Sequence, residues 1–142
     1  MNAIDFLIDE HHHVRKMLND INDSSHRFET KLKLFDELAE TLIRHESMEQ
    51  KIWYPHFKDK VSSTVKHLVK EERHAEQAIE KITELKTQEA WEKHFQKFKS
   101  AVDHHATEEE EQLFPEVKKL LNNETLNKIG NEMREFKKEY PQ

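Results

Sequence analysis

Apolar residues recur every three or four positions along most of the chain, which is the spacing that one face of an α-helix requires. This spacing predicts four long helices, at about residues 3–23, 29–57, 64–85 and 89–114, and Pro55 is expected to end or kink the second. A continuation to about residue 121 and a short tail helix, capped by the NNET segment and ending at about residue 138, follow. The polar segments between them are too short to divide the chain into domains. The sequence therefore predicts one all-α domain over residues 1–142, folded as an antiparallel up-down-up-down four-helix bundle with a short C-terminal helix.

Polar residues interrupt the apolar stripes of the second and fourth predicted helices. In each helix a histidine and a glutamate occupy stripe positions, and both segments read His, three residues, Glu, five residues, Pro. One segment runs from His45 to Pro55, and the other runs from His105 to Pro115. The four-residue spacing places Glu49 one turn after its histidine on the same face. Because a buried polar group is costly unless it is paired or bound to a metal, these positions indicate a buried site.

Two further histidines are predicted to lie at the same height in the bundle. In an antiparallel helix pair, residues equidistant from the connecting turn lie side by side. His11 is at the centre of the first stripe and His74 is on the flank of the third. The midpoints between successive histidines, at positions 11, 45, 74 and 105, fall in the three predicted turns. The candidate metal ligands are therefore His11, His45, Glu49, His74, His105 and Glu109.

Four imidazoles and two carboxylates in an apolar bundle form a ligand set for two metal ions. This donor set suits iron, and it also accepts manganese or zinc, whereas it does not suit copper(I) or calcium. If each glutamate bridges, each ion receives two nitrogens and two oxygens. An oxo or hydroxo bridge (Fe–O–Fe) would then be the fifth ligand, and the sixth position would stay open for dioxygen, peroxide or nitric oxide.

Composition narrows the partners and the chemistry. The chain has no cysteine, which excludes disulfides, thiolate metal sites and cysteine nucleophiles. A formal net charge of −6 argues against nucleic acid as a partner, because phosphates require a basic patch. No apolar run approaches the ~18 residues that a membrane span needs, and the N-terminus lacks the regions of a signal peptide. The unusual feature of the composition is its eleven histidines. The sequence therefore predicts a cytoplasmic protein with no membrane or nucleic-acid partner.

The segments that contain the six candidate ligands resemble the hemerythrin-like family of HHE cation-binding domains, and the resemblance covers roughly residues 3 to 121. The family implies a four-helix bundle around a non-haem di-iron centre. Its members include oxygen carriers, sensors of oxygen or iron, and proteins of nitrosative or oxidative stress that store, supply or repair iron. The segments that carry the resemblance are LIDEHHHVRKML with His11, RHESMEQKIWYP with His45 and Glu49, EERHAEQAIEKI with His74, and DHHATEEEEQLFP with His105 and Glu109.

The chain departs from the oxygen-carrier members of that family at two places. The carriers have a second histidine four residues after the first in the third helix, and this chain has Ala78 there. They also have an aspartate five residues after the histidine of the fourth helix, where this chain has Glu109 and Glu110 at four and five. The resemblance therefore points to the four-His, two-Glu variant that is associated with stress response and iron handling.

Several neighbouring residues are further candidates for the site. His67 could supply a fifth nitrogen, a shifted register could bring Glu110 to the metal, and Tyr54 could reach the site through a hydrogen bond. The histidines next to predicted ligands could support them or could simply lie on the surface. These neighbours are His12, His13 and His104.

Three functions fit these observations. The first is a non-haem di-iron protein that binds or reacts with a small oxidant, and it could decompose peroxide or react with nitric oxide. The second is a non-catalytic oxygen or iron sensor, or an oxygen-binding module, that works through a protein partner. The third is a zinc-binding or metal-free helical scaffold. The sequence shows no catalytic group apart from the metal ligands and leaves open whether the protein is an enzyme.

Overall fold

A computed structural model describes residues 1–141, and in this part of the chain all regular secondary structure is helical, without a strand. The predicted all-α class is therefore confirmed. No helix of the described residues is long and apolar enough to span a bilayer. The α-helices are α1 Ala3–Ile21, α2 Phe28–Met48, α3 Ser62–Glu84, α4 Gln88–Glu108, α5 Phe114–Leu120 and α6 Asn123–Glu139.

Two wide π-helical turns follow α2 and α4 at equivalent places in the two His-x3-Glu-x5-Pro segments. They comprise Glu49–Trp53 and Glu109–Leu113, and each begins at the glutamate of its segment. The amide of the following residue, Tyr54 or Phe114, donates to the carbonyl of that glutamate, five residues back. A regular helix cannot continue smoothly into proline, whose ring clashes with the carbonyl four residues earlier. The wider turn before each proline thus forms at the glutamate, and such turns occur frequently at functional sites.

The two segments diverge after their prolines. The sequence predicted a second helix to about residue 57 that Pro55 ends or kinks, but regular α-helix already ends at Met48. The π turn is followed there by a single 3₁₀ turn, Tyr54–His56, and then by the connection to α3. In the second segment the helix resumes as α5, which begins at Phe114 with Pro115 in its first turn and ends at Leu120, close to the predicted end at about residue 121.

The C-terminal helix α6 has 17 residues and agrees with the predicted tail helix, which was expected to be capped by the NNET segment and to end at about residue 138. Asn122 caps it by accepting a 2.8 Å hydrogen bond from the amide of Thr125. Its buried residues Leu126, Ile129 and Met133 join the same apolar cluster as the first turns of α1. The helix therefore belongs to the folded core and packs along α1.

The apolar core is divided into two clusters. One contains Leu7 of α1, Met48 of α2 and Leu68 of α3, and the other contains Val14, Leu42 and Ile79 of the same three helices. Each of these three helices thus passes from one cluster to the other. Along the chain, α1 meets the two clusters in the opposite order to α2. Between the two clusters lies a belt of buried polar side chains.

Candidate metal centre

Six side chains between the two apolar clusters form the buried belt. They are three imidazoles and three carboxylates, contributed by α1, α2, α3 and α4 and by the first residues of the two π turns. Glu49 and Glu109 are completely buried, and Glu72 is 1 % exposed. The six residues are His11, His45, Glu49, Glu72, His105 and Glu109, and all are buried except His105, whose side chain is 16 % exposed.

The Nε2 atoms of the three histidines all point at the inner carboxylates. Nε2 of His11 is 3.2 Å from Oε1 of Glu109, and Nε2 of His45 is 3.3 Å from Oε1 of Glu49. Nε2 of His105 is 3.2 Å from Glu72 and 3.5 Å from Glu109. Two groups of three residues are therefore compact. Within each group the ligand atoms all lie within 4.8 Å of one another, and both groups include Glu109. One group is His11, His45 and Glu109, and the other is Glu49, His105 and Glu109.

The Nδ1 atom of each of these histidines contacts a second, outer carboxylate. The distances are 2.8 Å from His11 to Glu110, 3.2 Å from His45 to Glu10 and 2.9 Å from His105 to Glu71. A carboxylate at Nδ1 holds the proton on that nitrogen and leaves the lone pair of Nε2 free for a metal ion. All three imidazoles are thus oriented as ligands toward one interior space.

Two of the outer carboxylates are themselves fixed by cationic side chains. Arg15, one turn after His11, donates to both oxygens of Glu110, at 2.9 and 3.2 Å. Lys137 of α6 donates to Glu10 at 2.8 Å, which connects the C-terminal helix to the site. Contacts with His11 and Arg15 lower the pKa of Glu110 to about 2. Burial raises the pKa of Glu10, but His45 and Lys137 outweigh it and lower the value to about 2.

The belt holds more buried acid than its own hydrogen bonds satisfy. Both carboxylate oxygens of Glu49 and of Glu109, and Nε2 of His11, are buried and have no hydrogen-bond partner. Burial, and then the charge of Glu109, raise the pKa of Glu49 well above its ordinary value. Such unsatisfied atoms are costly in an apolar interior, and divalent cations bound between them would remove that cost. The residues of the belt therefore fit a metal centre.

The inner and outer carboxylates raise the pKa values of His11 and His105. Burial lowers the pKa of His11, but contacts with Glu109 and Glu110 outweigh it and raise the value to about 9. Burial likewise opposes the charged form of His105, and Glu72 and Glu109 raise its pKa to about 10. Since an imidazole must be neutral to bind a metal, cation binding would release these protons.

The structure does not bring His74 into the belt. Its side chain is exposed, and the inward position at this level of α3 is Glu72, which continues the buried series Val65, Leu68 and Ile79. A helix turns by ~100° per residue, so a shift of two residues turns a side chain ~200° away. Glu72 and His74 lie at nearly the same height, and Glu72 is the one on the face toward the belt, while His74 lines the cavity described below. The apolar stripe through position 72 was the sequence signal that identifies Glu72.

The neighbouring candidates have different positions. Glu110 contacts His11 from outside the belt, and Tyr54 donates a 2.7 Å hydrogen bond to Glu72. The remaining candidates are exposed. Two of these, His67 of α3 and His104 of α4, lie near Glu108 on the surface. The exposed histidines are His12, His13, His67 and His104.

A cavity of about 400 Å³ lies between α3 and α4 and reaches the belt. His45, Glu72 and His105 line it together with small and apolar residues. Glu46 also lines it, and burial, followed by the charges of Glu72 and Glu76, raises the pKa of Glu46 to about 9. The apolar lining includes Ala75, Ala78, Phe98, Ala101 and Val102.

Residues 2–138 match the family described as the hemerythrin HHE cation-binding domain. The match covers nearly the whole chain and includes every residue of the belt. Comparison with curated proteins and with solved structures found no match.

Proposed function

Because the chain belongs to the hemerythrin HHE cation-binding domain family, we propose that the buried belt holds two iron ions that bind or react with a small oxidant. The oxidant would be dioxygen, peroxide or nitric oxide, and the role would be in stress response or iron handling. The observation that carries this proposal is the pair of His/Glu groups that share Glu109. We also infer that α1, α2, α3 and α4 form an up-down-up-down bundle in which successive helices are antiparallel. Each of the four then contributes side chains to the belt at the same height.

The ligand groups divide the belt between two ions. His11 and His45 would bind one ion through Nε2, and His105 and Glu72 would bind the other. Glu49 and Glu109 lie between these pairs and would serve both ions. The set therefore has three imidazoles and three carboxylates, with Glu72 where the sequence pattern placed His74. Imidazole and carboxylate are the donors of non-haem iron sites in helical bundles.

The other residues of the site would control orientation and protons. The outer carboxylates hold Nδ1–H of the three histidines, and the hydroxyl of Tyr54 keeps its proton toward Glu72. Glu46 is a buried acid at the wall of the cavity and can hold a proton near the centre. Iron supplies the redox chemistry when bound, and the apolar cavity limits water and gives a small molecule access.

The test is the metal content and absorption spectrum of the full chain produced with supplied iron and purified in air. We expect two irons per chain and the near-ultraviolet absorption of an oxo-bridged diferric centre. The matched comparison is the Glu49→Gln/Glu109→Gln variant, which keeps the side-chain shapes and removes the two shared carboxylates. The proposal would be wrong if iron-supplied protein remained colourless and held zinc or no metal.

Reaction with the oxidant is a separate measurement on the iron-loaded protein. Rapid consumption of added hydrogen peroxide would assign a peroxide-decomposing activity. Spectral change with nitric oxide or dioxygen, without turnover, would favour a sensor or oxygen-binding module that acts through a partner.

A further inference from the structure

A second cluster of histidines and glutamates lies on the surface where α3 and α4 face each other. Each helix contributes one histidine and the glutamate four residues later, so the two residues share a face. On α3 the pair is His67 and Glu71, and on α4 it is His104 and Glu108. The two pairs point toward one another across the helix interface.

Three of the four side chains converge closely enough to share a cation, and the fourth, His104, contacts the same two carboxylates. Nε2 of His67 is 3.3 Å from Oε2 of Glu71 and 3.1 Å from Oε2 of Glu108. Nε2 of His104 is 2.8 Å from Oε1 of Glu108 and 4.0 Å from Oε2 of Glu71. The ligand atoms of His67, Glu71 and Glu108 all lie within 4.8 Å of one another. An ion with bonds of about 2.0–2.2 Å holds its ligand atoms roughly 3–4 Å apart, and the four contacts of 2.8 to 4.0 Å are close to that range.

Glu108 gives a second reason to expect a cation. Its side chain is 11 % exposed, and its Oε1 is buried without a hydrogen bond, although Nε2 of His104 lies next to it. A carboxylate oxygen that faces an imidazole nitrogen without forming a hydrogen bond is suited to sharing a metal ion with it. The two histidines are more than half exposed, which leaves room for water ligands on the ion.

Glu71 connects this surface cluster to the buried belt. Its Oε1 contacts Nδ1 of His105 at 2.9 Å, while its Oε2 faces His67. Glu71 and His104 also line the cavity that reaches the belt. We propose that His67, Glu71, His104 and Glu108 form an exposed site for one divalent cation, which loads the buried centre through the shared cavity.

The donor set defines the class of ion. Two imidazoles and two carboxylates accept Fe²⁺, Zn²⁺, Co²⁺ or Mn²⁺ and do not favour Mg²⁺ or Ca²⁺. None of the six belt residues belongs to the exposed site, so its binding can be measured separately. The loading role rests on the proposed function of the belt, whereas the existence of the exposed site does not.

The binding test uses iron-loaded full-length protein titrated with Zn²⁺ by calorimetry, with iron retention measured afterwards. We expect one additional Zn²⁺ per chain in the wild type and none in the His67→Ala/His104→Ala variant. The matched control, His12→Ala/His13→Ala, removes two exposed histidines from α1 and should bind the ion normally. The exposed site is refuted if the wild type binds no additional ion, or if the His67→Ala/His104→Ala variant binds it equally well.

The loading test follows Co²⁺ uptake by metal-free protein at limiting metal. The His67→Ala/His104→Ala variant should fill the belt several-fold more slowly than the wild type and the control, yet reach the same final belt occupancy. Equal filling rates would overturn the loading role. A further outcome is that metal-free wild type takes up one ion that the His67→Ala/His104→Ala variant does not bind, while the belt takes up none. That result would support the exposed site and contradict the proposed function of the belt, so the two proposals can fail separately.

Discussion

The hydroxyl of Tyr54 donates a 2.7 Å hydrogen bond to Oε2 of Glu72, and this oxygen is also 3.2 Å from Nε2 of His105. The other oxygen of Glu72 accepts a 2.8 Å hydrogen bond from the side chain of Gln50. Gln50 lies in the first π turn and Tyr54 directly follows it. The wide turn at Glu49 therefore does more than accommodate Pro55: it brings two donors to a carboxylate on another helix.

Replacing Glu72 should affect metal binding far more than replacing His74. We expect Glu72→Ala to lose most of one of the two proposed iron ions, because its carboxylate is buried and directed at the belt. His74→Ala should retain the iron of the wild type, since the His74 side chain is exposed. Metal analysis of iron-supplied variants, with circular dichroism to verify folding, distinguishes the two. Full iron in Glu72→Ala together with loss in His74→Ala would restore the ligand set predicted from the sequence.

The outer carboxylates should tune metal affinity without binding the metal. Glu10→Gln and Glu110→Gln keep the shape of the side chain but weaken the hold on Nδ1 of His45 and His11. Loss of such outer partners typically lowers metal affinity by about 10- to 100-fold. Competition with a chelator measures this change, and Glu111→Gln is the exposed neighbouring control. Affinities equal to that of Glu111→Gln would show that the outer carboxylates do not support the ligands.

The sequence predicted five of the six belt residues because histidine and glutamate are conspicuous in an apolar stripe. It missed Glu72 because glutamate is common in this chain, and the histidine two positions later drew attention to the wrong face. It also missed both π turns, since a period of 3.6 residues describes only regular helix. The bounds of α6 were predicted closely, but its packing on α1 was not, because that packing depends on tertiary contacts that no local pattern contains.

The one glycine of the chain, Gly130, should resist substitution although it lies within a helix. Alanine normally stabilises a helix interior relative to glycine. At Gly130, however, a Cβ atom would lie 2.8 Å from the carbonyl oxygen of Met1 and 3.1 Å from the amide nitrogen of Ala3. We expect Gly130→Ala to reduce the free energy of unfolding by about 1–3 kcal/mol, as overpacking does.

Urea denaturation measures the effect of Gly130→Ala, with Lys128→Ala as a control at an exposed position of the same helix. A Gly130→Ala protein more stable than the wild type would mean that the N-terminus moves away from α6 at little cost.

The stability of the metal-free protein should fall as pH rises from about 5 to about 10. His11 and His105 have folded pKa values of about 9 and about 10, above the ordinary 6.5, so their contribution is complete below pH 6.5 and is lost as pH rises through those values. Glu46, with a pKa raised from 4.5 to about 9, acts in the same direction, because its buried acid must ionise.

Glu10 limits the stability at low pH. Its pKa is lowered from 4.5 to about 2, so its stabilising contribution is complete above pH 4.5 and is lost as pH falls toward 2. Unfolding free energies of chelator-treated protein at about pH 5, 7 and 9 should therefore decrease in that order. Glu46→Gln should flatten the decrease, since glutamine does not titrate. Iron-loaded protein should show a smaller decrease, because its ligand histidines are already neutral. A metal-free protein that became more stable from pH 5 to 9 would contradict the raised pKa values of His11 and His105, and with them the close approach of these imidazoles to the inner carboxylates.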